Sequence, residues 1–419
     1  MREMKDSGIE WIGQIPKDWD VVPHKRVMHK VKKICEQYSG EDIISLTMNG
    51  VIKRDLTAGG KMPTSFDGYQ YVKPNDLLLC LFDIDVTPRC VGVVKDYGVT
   101  SPAYSRFVMH DGYYNAYYDY LLRAIDDDKV FVHLSKNLRS SLTESDFGAI
   151  KTCVPSLAEQ KRIVTFLDAE CAEIDAVLEK TRASIEEYKK LKQAVITQAV
   201  TKGIRGDRPM KDSGSVWFEE IPCNWVMKRI KYLFHIKKDI AGKEGYTVLS
   251  ITQRGIQPKD LSKNEGQIAA NYSQYQLLAP GDFAMNHMDL LTGWVDISKY
   301  SGVTSPDYRV FVLDDTEKND SSYYLYLMQM CYFNRIFYGL GQGVSGMGRW
   351  RLQADKFMNF PVVVPPVDEQ KEIVSYLNEK CKQLDTLIRN KQQYLTAIEN
   401  YKKSLIYEYV TGKKEVLPL

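Results

Sequence analysis

The fold is decided by the stretch VPSLAEQK at residues 154–161, which returns as VPPVDEQK at residues 364–371. After each copy the chain runs on without Pro or Gly, the two residues that most strongly interrupt a helix. The pattern predicts one long helix at about residues 156–202 and a second at about residues 366–411.

Both segments carry helix-capping signals. Ser156 with Glu159 fits a capping box at the start of the first segment, and Pro366 suits the first turn of the second. Gly203 and Gly412 follow the predicted ends, where glycine is favoured. Each predicted helix therefore has a defined start and stop.

The same stretches belong to a repeat that covers the whole chain. Residues 5–8 (KDSG) return at 211–214, and residues 98–102 (GVTSP) return at 302–306. The offset between the copies stays between 204 and 210 residues. Because this period exceeds a solenoid unit of about 20–50 residues, it predicts a duplicated domain.

Apolar side chains recur along both predicted helices at intervals of three, four and seven residues, which places them on one stripe. Matching stripes on two long helices favour a coiled coil, because a helix of about 45 residues at about 1.5 Å per residue is longer than a domain of this size. The alternative is that each stripe packs on its own domain. The predicted interface comprises Ile163, Leu167, Ile174, Leu178 and Ile185 with Ile373, Leu377, Leu384, Ile388 and Leu395.

Connectivity predicts the direction of the helices. The segment from Lys202 to Asp207 is short, so the second domain begins near the end of the first helix and the second helix runs back. The expected fold class is α+β, with two duplicated α/β domains joined by two long antiparallel helices in a pseudo-two-fold coiled coil. The expected boundaries are 1–154 and 204–364 for the two domains, and 155–203 and 365–419 for the helical regions.

Composition narrows the functional classes. The 419 residues allow two domains, and 44% apolar with 26% charged residues is ordinary for a globular protein. The net charge of +2 neither indicates nor excludes a nucleic-acid partner, because local patches do the binding. Eight scattered cysteines without a CxxC pair, no apolar run of membrane-spanning length and a charged start predict a cytoplasmic protein with no membrane partner.

Motifs for catalysis and metal binding are absent from the sequence. There is no Asn/Asp-Pro-Pro-Tyr/Phe methyltransferase motif and no HExxH. The glycine-rich run at 339–348 is followed by Arg349, where a phosphate loop needs Lys-Ser/Thr. His24 and His29 lack a third ligand and are expected at the surface. We expect no catalytic residue, no metal site and no turnover by the chain alone.

At this point the chain resembles the specificity (S) subunit of a type I restriction–modification enzyme. The resemblance covers essentially the full length and rests on ordered motifs that occur twice. These are Trp11, Ile15-Pro16 and Trp19 with their repeat Trp217, Ile221-Pro222 and Trp225, the Val-Pro and Glu-Gln pairs at 154–160 and 364–370, and Val-Thr-Gly at 410–412.

The resemblance implies a non-catalytic DNA reader. Each domain would be a target-recognition domain for one half of a bipartite double-stranded DNA site, and the helices would set the spacer. Two methyltransferase (M) subunits would dock on the helical regions, and restriction (R) subunits would join that core. The chain would bind no cofactor itself. The M subunits would methylate adenine N6 with S-adenosylmethionine, and the R subunits would use ATP and Mg²⁺.

Candidate DNA contacts lie mainly in the loop before each last strand of a domain. Arg, Asn, Gln and Ser are the side chains that read base edges, and a residue that differs between the halves suits sequence choice. The loop candidates are Lys136, Asn137, Arg139 and Ser140 in the first half, and Gln342, Ser345, Arg349 and Arg351 in the second. Weaker candidates are Arg54, Arg89, Arg254 and Lys259.

Simpler interpretations stay open. The loops could be solvated turns, and the weaker candidates could be ordinary surface residues. Trp11, Trp19, Trp217 and Trp225 could stack on bases, but repeated tryptophans around Ile-Pro favour core anchors. At the level of function, the rivals are a two-headed protein scaffold without DNA specificity and a self-contained nuclease or methyltransferase, against which the missing motifs count.

Overall fold

Short strands separated by turns build each half, and the long segments without Pro or Gly are helices. The computed structural model describes residues 2–48, 50–57, 63–87, 89–135, 140–261, 269, 271–343 and 350–416. The chain divides into two compact units, one made of Met1–Arg182 with Gln393–Leu419 and the other of Ala183–Gln392. This division falls inside both long helices, so the four predicted segment boundaries stay a prediction.

Unit 1 holds the first series of elements. Its strands are β1 (Met4–Asp6), β2 (Gln14–Pro16), β3 (Asp20–Pro23), β4 (Met28–Lys30), β5 (Ile44–Thr47), β6 (Gly50–Lys53), β7 (Gln70–Val72), β8 (Leu77–Leu79), β9 (Val91–Val93), β10 (Gly98–Thr100), β11 (Ser105–Met109) and β12 (Lys151–Val154). Its helices are α1 (Asn115–Asp127), α2 (Val130–Leu134), α3 (Glu144–Ala149) and the first part of α4 (Leu157–Lys202).

Unit 2 repeats the series in the same order. Its strands are β13 (Met210–Asp212), β14 (Glu220–Pro222), β15 (Val226–Arg229), β16 (Phe234–Lys237), β17 (Leu249–Thr252), β18 (Gly255–Pro258), β19 (Gln276–Leu278), β20 (Phe283–Met285), β21 (Val295–Ile297), β22 (Gly302–Thr304), β23 (Arg309–Leu313) and β24 (Pro361–Val364). Its helices are α5 (Ser321–Phe333), α6 (Ile336–Gly339), α7 (Ala354–Asn359) and most of α8 (Val367–Val410).

The sheet topology is the same in both units. An antiparallel four-stranded sheet has the order β4-β11-β8-β9 in unit 1 and β16-β23-β20-β21 in unit 2. Its central strands β8 and β20 are apolar and fully buried, as expected for strands covered on both faces. Two-stranded pairs surround each sheet, and β12 and β24 pair with β3 and β15 directly before α4 and α8. These observations confirm the α+β class and the duplication.

The end of each long helix completes the core of the domain from the other half of the chain. In unit 1 the Tyr117 hydroxyl donates to the Val410 carbonyl at 2.8 Å, and the core contains both the start of α4 and the end of α8. In unit 2 the Tyr323 hydroxyl donates to the Val200 carbonyl at 3.0 Å. The core of each domain therefore includes the C-terminal end of the long helix that starts in the other domain, and we call this arrangement the exchange of helix ends.

Within each unit, α4 and α8 run antiparallel. In unit 1 Lys402 binds Asp175 at 2.6 Å, and in unit 2 Lys192 binds Asp385 at 2.7 Å. The two bonds join equivalent residues, because Asp385 lies 210 positions after Asp175 and Lys402 lies 210 positions after Lys192. The lysine comes from α8 in unit 1 and from α4 in unit 2.

The predicted stripe divides between two environments. Ile163 and Leu167, with Ile373 and Leu377, lie in the domain cores, where the alternative packing holds. Farther along, Leu178, Ile185 and Leu384 are buried outside those cores, and Ile388 and Leu395 are half-buried. Ile174 is half-buried against the core of unit 1. The coiled-coil interface therefore applies to the middle of the helices and not to their starts.

A matched clamp fastens the start of each long helix. The indole Nε1 of Trp19 donates to Glu159 at 3.0 Å, and Arg2 binds the same carboxylate. In unit 2 the indole of Trp225 donates to Glu369 at 2.9 Å, and Arg208 is the cation. Trp19 and Trp225 are buried, which confirms these two as core anchors.

The predicted capping box is therefore only half formed. The Ser156 hydroxyl accepts from the Glu159 backbone N–H at 3.3 Å, as expected. The Glu159 side chain does not return to the helix start, because Trp19 and Arg2 take its carboxylate. A carboxylate at a helix start is also favoured by the helix dipole.

One sequence expectation is wrong. His24 was expected at the surface, but it is buried and its ring lies 4.6 Å from the Phe147 ring. Burial lowers the pKa of His24 to about 4, so the ring is neutral at neutral pH. His29 is exposed as expected. Within the described part of the chain, every helix is too short or too polar to span a lipid bilayer.

Candidate nucleic-acid interface

A hairpin with the same backbone recurs in both units. β5 and β6 pair with Thr47 opposite Gly50, and β17 and β18 pair with Thr252 opposite Gly255. The threonine hydroxyl donates to the glycine carbonyl at 2.9 Å in unit 1 and 3.1 Å in unit 2. Both glycines have φ near +93°, a conformation that a residue with a Cβ rarely adopts. The strands and the flanking Thr and Gly are therefore shared, and the two residues between them differ in sequence.

A cation follows each hairpin at the same structural position. The backbone N–H of Arg54 donates to Ile43 at 2.8 Å, and the backbone N–H of Lys259 donates to Val248 at 2.8 Å. These two weaker candidates are therefore equivalent residues of the two units.

An aromatic pair recurs in each unit, and in unit 2 it lines one surface together with Lys259. Phe66 and Tyr69 make an edge-to-face pair at 5.2 Å in unit 1, and Tyr272 and Tyr275 make the same pair at 4.9 Å in unit 2. All four rings are half-buried, which leaves part of each accessible.

A third tyrosine joins each aromatic pair. The Gln70 amide donates to the Tyr104 carbonyl at 2.6 Å, and Gln276 holds Tyr308 at 2.8 Å. Burial raises the pKa of Tyr104, and the nearby Arg54 charge opposes that rise. The Arg54 charge is therefore close enough to interact electrostatically with Tyr104.

In unit 2 these groups line one concave surface of about 640 Å³. It includes Arg254 and Gln257 of the hairpin, Lys259, and the rings of Tyr272, Tyr275 and Tyr308. Cations bind phosphates, and exposed aromatic rings stack on sugars or bases. We call Arg54, Phe66, Tyr69 and Tyr104, with Lys259, Tyr272, Tyr275 and Tyr308, the paired cation–aromatic sites.

The predicted recognition loops end beside the segment that follows β8 in unit 1 and β20 in unit 2. Gln342 and Arg351 close the second loop through two backbone hydrogen bonds of 2.8 and 3.0 Å. The next residue, Leu352, donates to the His287 carbonyl at 2.9 Å. In unit 1 the Leu142 N–H donates to the Leu81 carbonyl at 2.8 Å, at the equivalent place.

Electrostatics around the end of the second loop are positive. Arg309 is buried, and its guanidinium donates to the Leu352 carbonyl at 2.8 Å. Burial lowers the pKa of Arg309 to about 10, so it stays charged. Burial, with the charges of Arg309 and Arg351, lowers the pKa of His287 to about 4. This concentration of positive charge favours an anion such as a DNA phosphate.

Only some of the predicted DNA contacts lie within the described residues. Lys136, Asn137, Arg139, Ser345 and Arg349 lie outside the described residues. Gln342 and Arg351 are exposed, and Ser140 is half-buried with its carbonyl accepting from Ile84 at 3.1 Å.

Among the weaker candidates, Arg254 and Lys259 share one surface, whereas Arg89 is half-buried. Burial and the charge of Arg123 lower the pKa of Arg89. Its guanidinium lies 3.4 Å from the position that a Cβ on Gly50 would take. Arg89 therefore lies against the first hairpin rather than in open solvent.

Sequence reasoning missed the aromatic members of the paired sites. Their signal was present, because SFDGYQY at residues 65–71 aligns with NYSQYQL at residues 271–277. An aromatic residue three positions before a Tyr-Gln pair occurs in both. The sequence alone singles out only the basic residues of the hairpins, because a strand pattern does not show which side chains share a surface.

Comparison with known proteins finds similar sequences. The family model for the type I restriction modification DNA specificity domain matches residues 222–400. A second line of comparison matches nearly the entire chain: the putative type I restriction enzyme MjaX specificity subunit of Methanocaldococcus jannaschii is 22% identical, with 97% of this chain and 96% of that protein aligned. Along nearly its whole length, this chain is similar to type I restriction enzyme specificity subunits.

Other similar proteins are consistent with that family. The type I restriction enzyme MjaVIII specificity subunit of the same organism is 22% identical over 289 residues, which is 64% of this chain and 63%, or less than two thirds, of that subunit. A solved structure concerned with assembly and conformational transition of the type I restriction–modification system has a TM-score of 0.68 at 14% identity, covering 96% of this chain and 99% of its own.

The HsdS subunit from Thermoanaerobacter tengcongensis has a TM-score of 0.50 at 13% identity, with 96% of this chain and 98% of that chain covered. At these identities the two structures support the specificity-subunit fold alone.

Proposed function

We propose that this chain is a type I specificity subunit that binds a bipartite double-stranded DNA target, with one domain for each half-site. The observation that carries the proposal is the recurrence of a cation–aromatic site beside a hairpin in each unit. Contacts that both units share suit the phosphate backbone, which is the same in any sequence. The loops and hairpin turns, which differ between the units, suit base recognition.

The chemistry of the complex would belong to partner subunits. Two M subunits would methylate adenine N6 with S-adenosylmethionine, and R subunits would cleave with ATP and Mg²⁺. This chain would contribute target choice and the docking surfaces. A two-headed scaffold is the rival, and it leaves the repeated cations and rings without a role.

Exposed apolar residues on the long helices support docking of a partner in two copies. Val177 and Tyr401 are 40% and 54% exposed in unit 1. Their repeat counterparts Leu387 and Leu191 are 43% and 48% exposed in unit 2. Each pair lies within two residues of a cross-helix Asp–Lys bond. A surface that occurs once in each unit fits one M subunit per unit.

The test is a map of N6-methyladenine across the genome of a methylation-free host that co-expresses this chain and its M subunit. We expect one bipartite motif with a fixed gap and one methylated adenine on each strand. A stable complex with M that produces no motif, together with DNA binding that shows no sequence preference, would favour the scaffold.

A further inference from the structure

The turn of the β17–β18 hairpin carries two exposed side chains with base-reading chemistry. Gln253 and Arg254 occupy the turn in unit 2, whereas the sequence places Met48 and Asn49 at the equivalent positions of unit 1. The flanking Thr and Gly, their hydrogen bond and the glycine φ are the same. The turn is therefore a variable tip on a shared scaffold, which is where sequence choice can differ between half-sites.

Neighbouring polar groups hold this turn in place. The Ile256 N–H donates to Asp296 at 2.9 Å, and the Arg254 N–H donates to the Thr252 hydroxyl at 3.1 Å. The Gln253 amide donates to the Thr292 carbonyl at 3.3 Å. A side chain that projects from a braced turn loses less conformational freedom on binding than one on a loose loop.

The Arg254 guanidinium makes no hydrogen bond or ion pair that would tie it to the described part of the fold. Its side chain is exposed, and no described residue receives a hydrogen bond or an ion pair from that guanidinium. In contrast, the buried Arg309 donates to Leu352 and supports the loop end. Arg254 is thus available to a ligand, while its backbone is fixed.

The surroundings of Arg254 indicate which ligand it would bind. Arg254 shares the concave surface of unit 2 with Lys259 and the three tyrosines of the cation–aromatic site. Lys259 has an equivalent cation in unit 1, Arg54, and so suits a sequence-independent phosphate contact. Arg254 has no equivalent cation, since Asn49 takes its place. We infer that Arg254 reads a guanine in the half-site bound by unit 2, by donating two hydrogen bonds to its O6 and N7 in the major groove.

This inference rests on the proposed function. The experiment is selection of bound duplexes from a randomised DNA library by the full chain, in the wild type and in Arg254→Gln, Arg254→Lys and Lys259→Met variants. The wild type should select a bipartite motif with an invariant guanine in one half. Arg254→Gln should lower the preference for guanine at that single position by roughly 5- to 150-fold, because Gln pairs best with adenine.

The Lys259→Met control distinguishes base recognition from binding to the phosphate backbone. Lys259→Met should weaken binding to all selected duplexes alike and reduce the salt slope by about 1, with the motif unchanged. Arg254→Lys keeps the charge but loses the planar two-donor fork, so it should also relax that position. Unchanged thermal unfolding midpoints would show that the variants are folded.

Two outcomes would overturn the inference in different ways. If Arg254→Gln weakens binding uniformly and the motif stays intact, Arg254 contacts phosphate; the guanine assignment fails and the proposed function stands. If the wild type selects no motif and competing random DNA displaces every duplex equally, the proposed function fails as well.

Discussion

At the scale of single residues, the Glu159 and Glu369 carboxylates show how far the sequence could be interpreted. The repeated Glu-Gln pair marked the start of each helix correctly. The carboxylate partners could not be predicted, because Trp19 and Arg2 lie 140 and 157 residues away from Glu159 along the chain. Only the fold brings the repeated tryptophans, arginines and glutamates together.

The Glu369 clamp predicts a pH dependence of stability. Burial alone would raise the pKa of Glu369, but hydrogen bonds from Trp225 and Arg208 outweigh it and hold the pKa below 4.5. The stabilisation is therefore complete above pH 4.5 and is lost as the pH falls through the folded-state pKa. Glu369→Gln should lower the free energy of unfolding by about 1–3 kcal/mol at pH 7 and flatten its acid dependence.

Urea unfolding at pH 7 and pH 4, followed by tryptophan fluorescence, measures this effect. Glu372→Gln is the matched control, since Glu372 lies on the same helix and its bond to Arg205 is at the surface. An equal acid dependence in the wild type and Glu369→Gln would contradict the assignment.

At the scale of elements, the helices were the most predictable part. Their bounds, their antiparallel direction and the α+β class follow from periodicity, breakers and connectivity. The position of each stripe residue was less predictable, because periodicity shows which face is apolar but not what covers it. Hence Ile163 and Ile373 lie in domain cores, and Leu387 on the same stripe faces solvent.

Two leucines on α8 allow a matched test of the helix interface. Leu384 is buried, so Leu384→Glu should lower the free energy of unfolding by at least about 2 kcal/mol and abolish target recognition. Leu387 is 43% exposed, so Leu387→Glu should change stability by no more than about 0.5 kcal/mol and weaken association with M. Chemical denaturation and size-exclusion chromatography with M measure the two effects; equal destabilisation by both would refute this division.

At the scale of the whole molecule, the repeat predicted the duplication and the return of the second helix to the first domain. It did not show that each domain core needs a helix end from the other half, since that depends on contacts such as Tyr117 with Val410. The base-reading residues were the least predictable, because similar Arg and Gln residues occur on any solvated loop.

Replacement of residues 1–154 by the corresponding segment of another specificity subunit should change one half of the target and leave the other half and the gap unchanged. The graft should keep a tyrosine at position 117 so that its bond to Val410 survives. The methylation map gives the answer directly, and a change in both halves would show that the domains do not read independently.

The exchange of helix ends also sets an order of maturation on the ribosome. All core residues of unit 2 have been synthesised by Cys381, whereas the core of unit 1 waits for Leu405, Ile406 and Val410. The domain that is translated first is thus finished last, after roughly 250 more residues, or about 10–50 s at about 5–20 residues per second. During that interval the nascent first domain exposes an apolar groove, and a late stop codon would damage the earliest part of the protein.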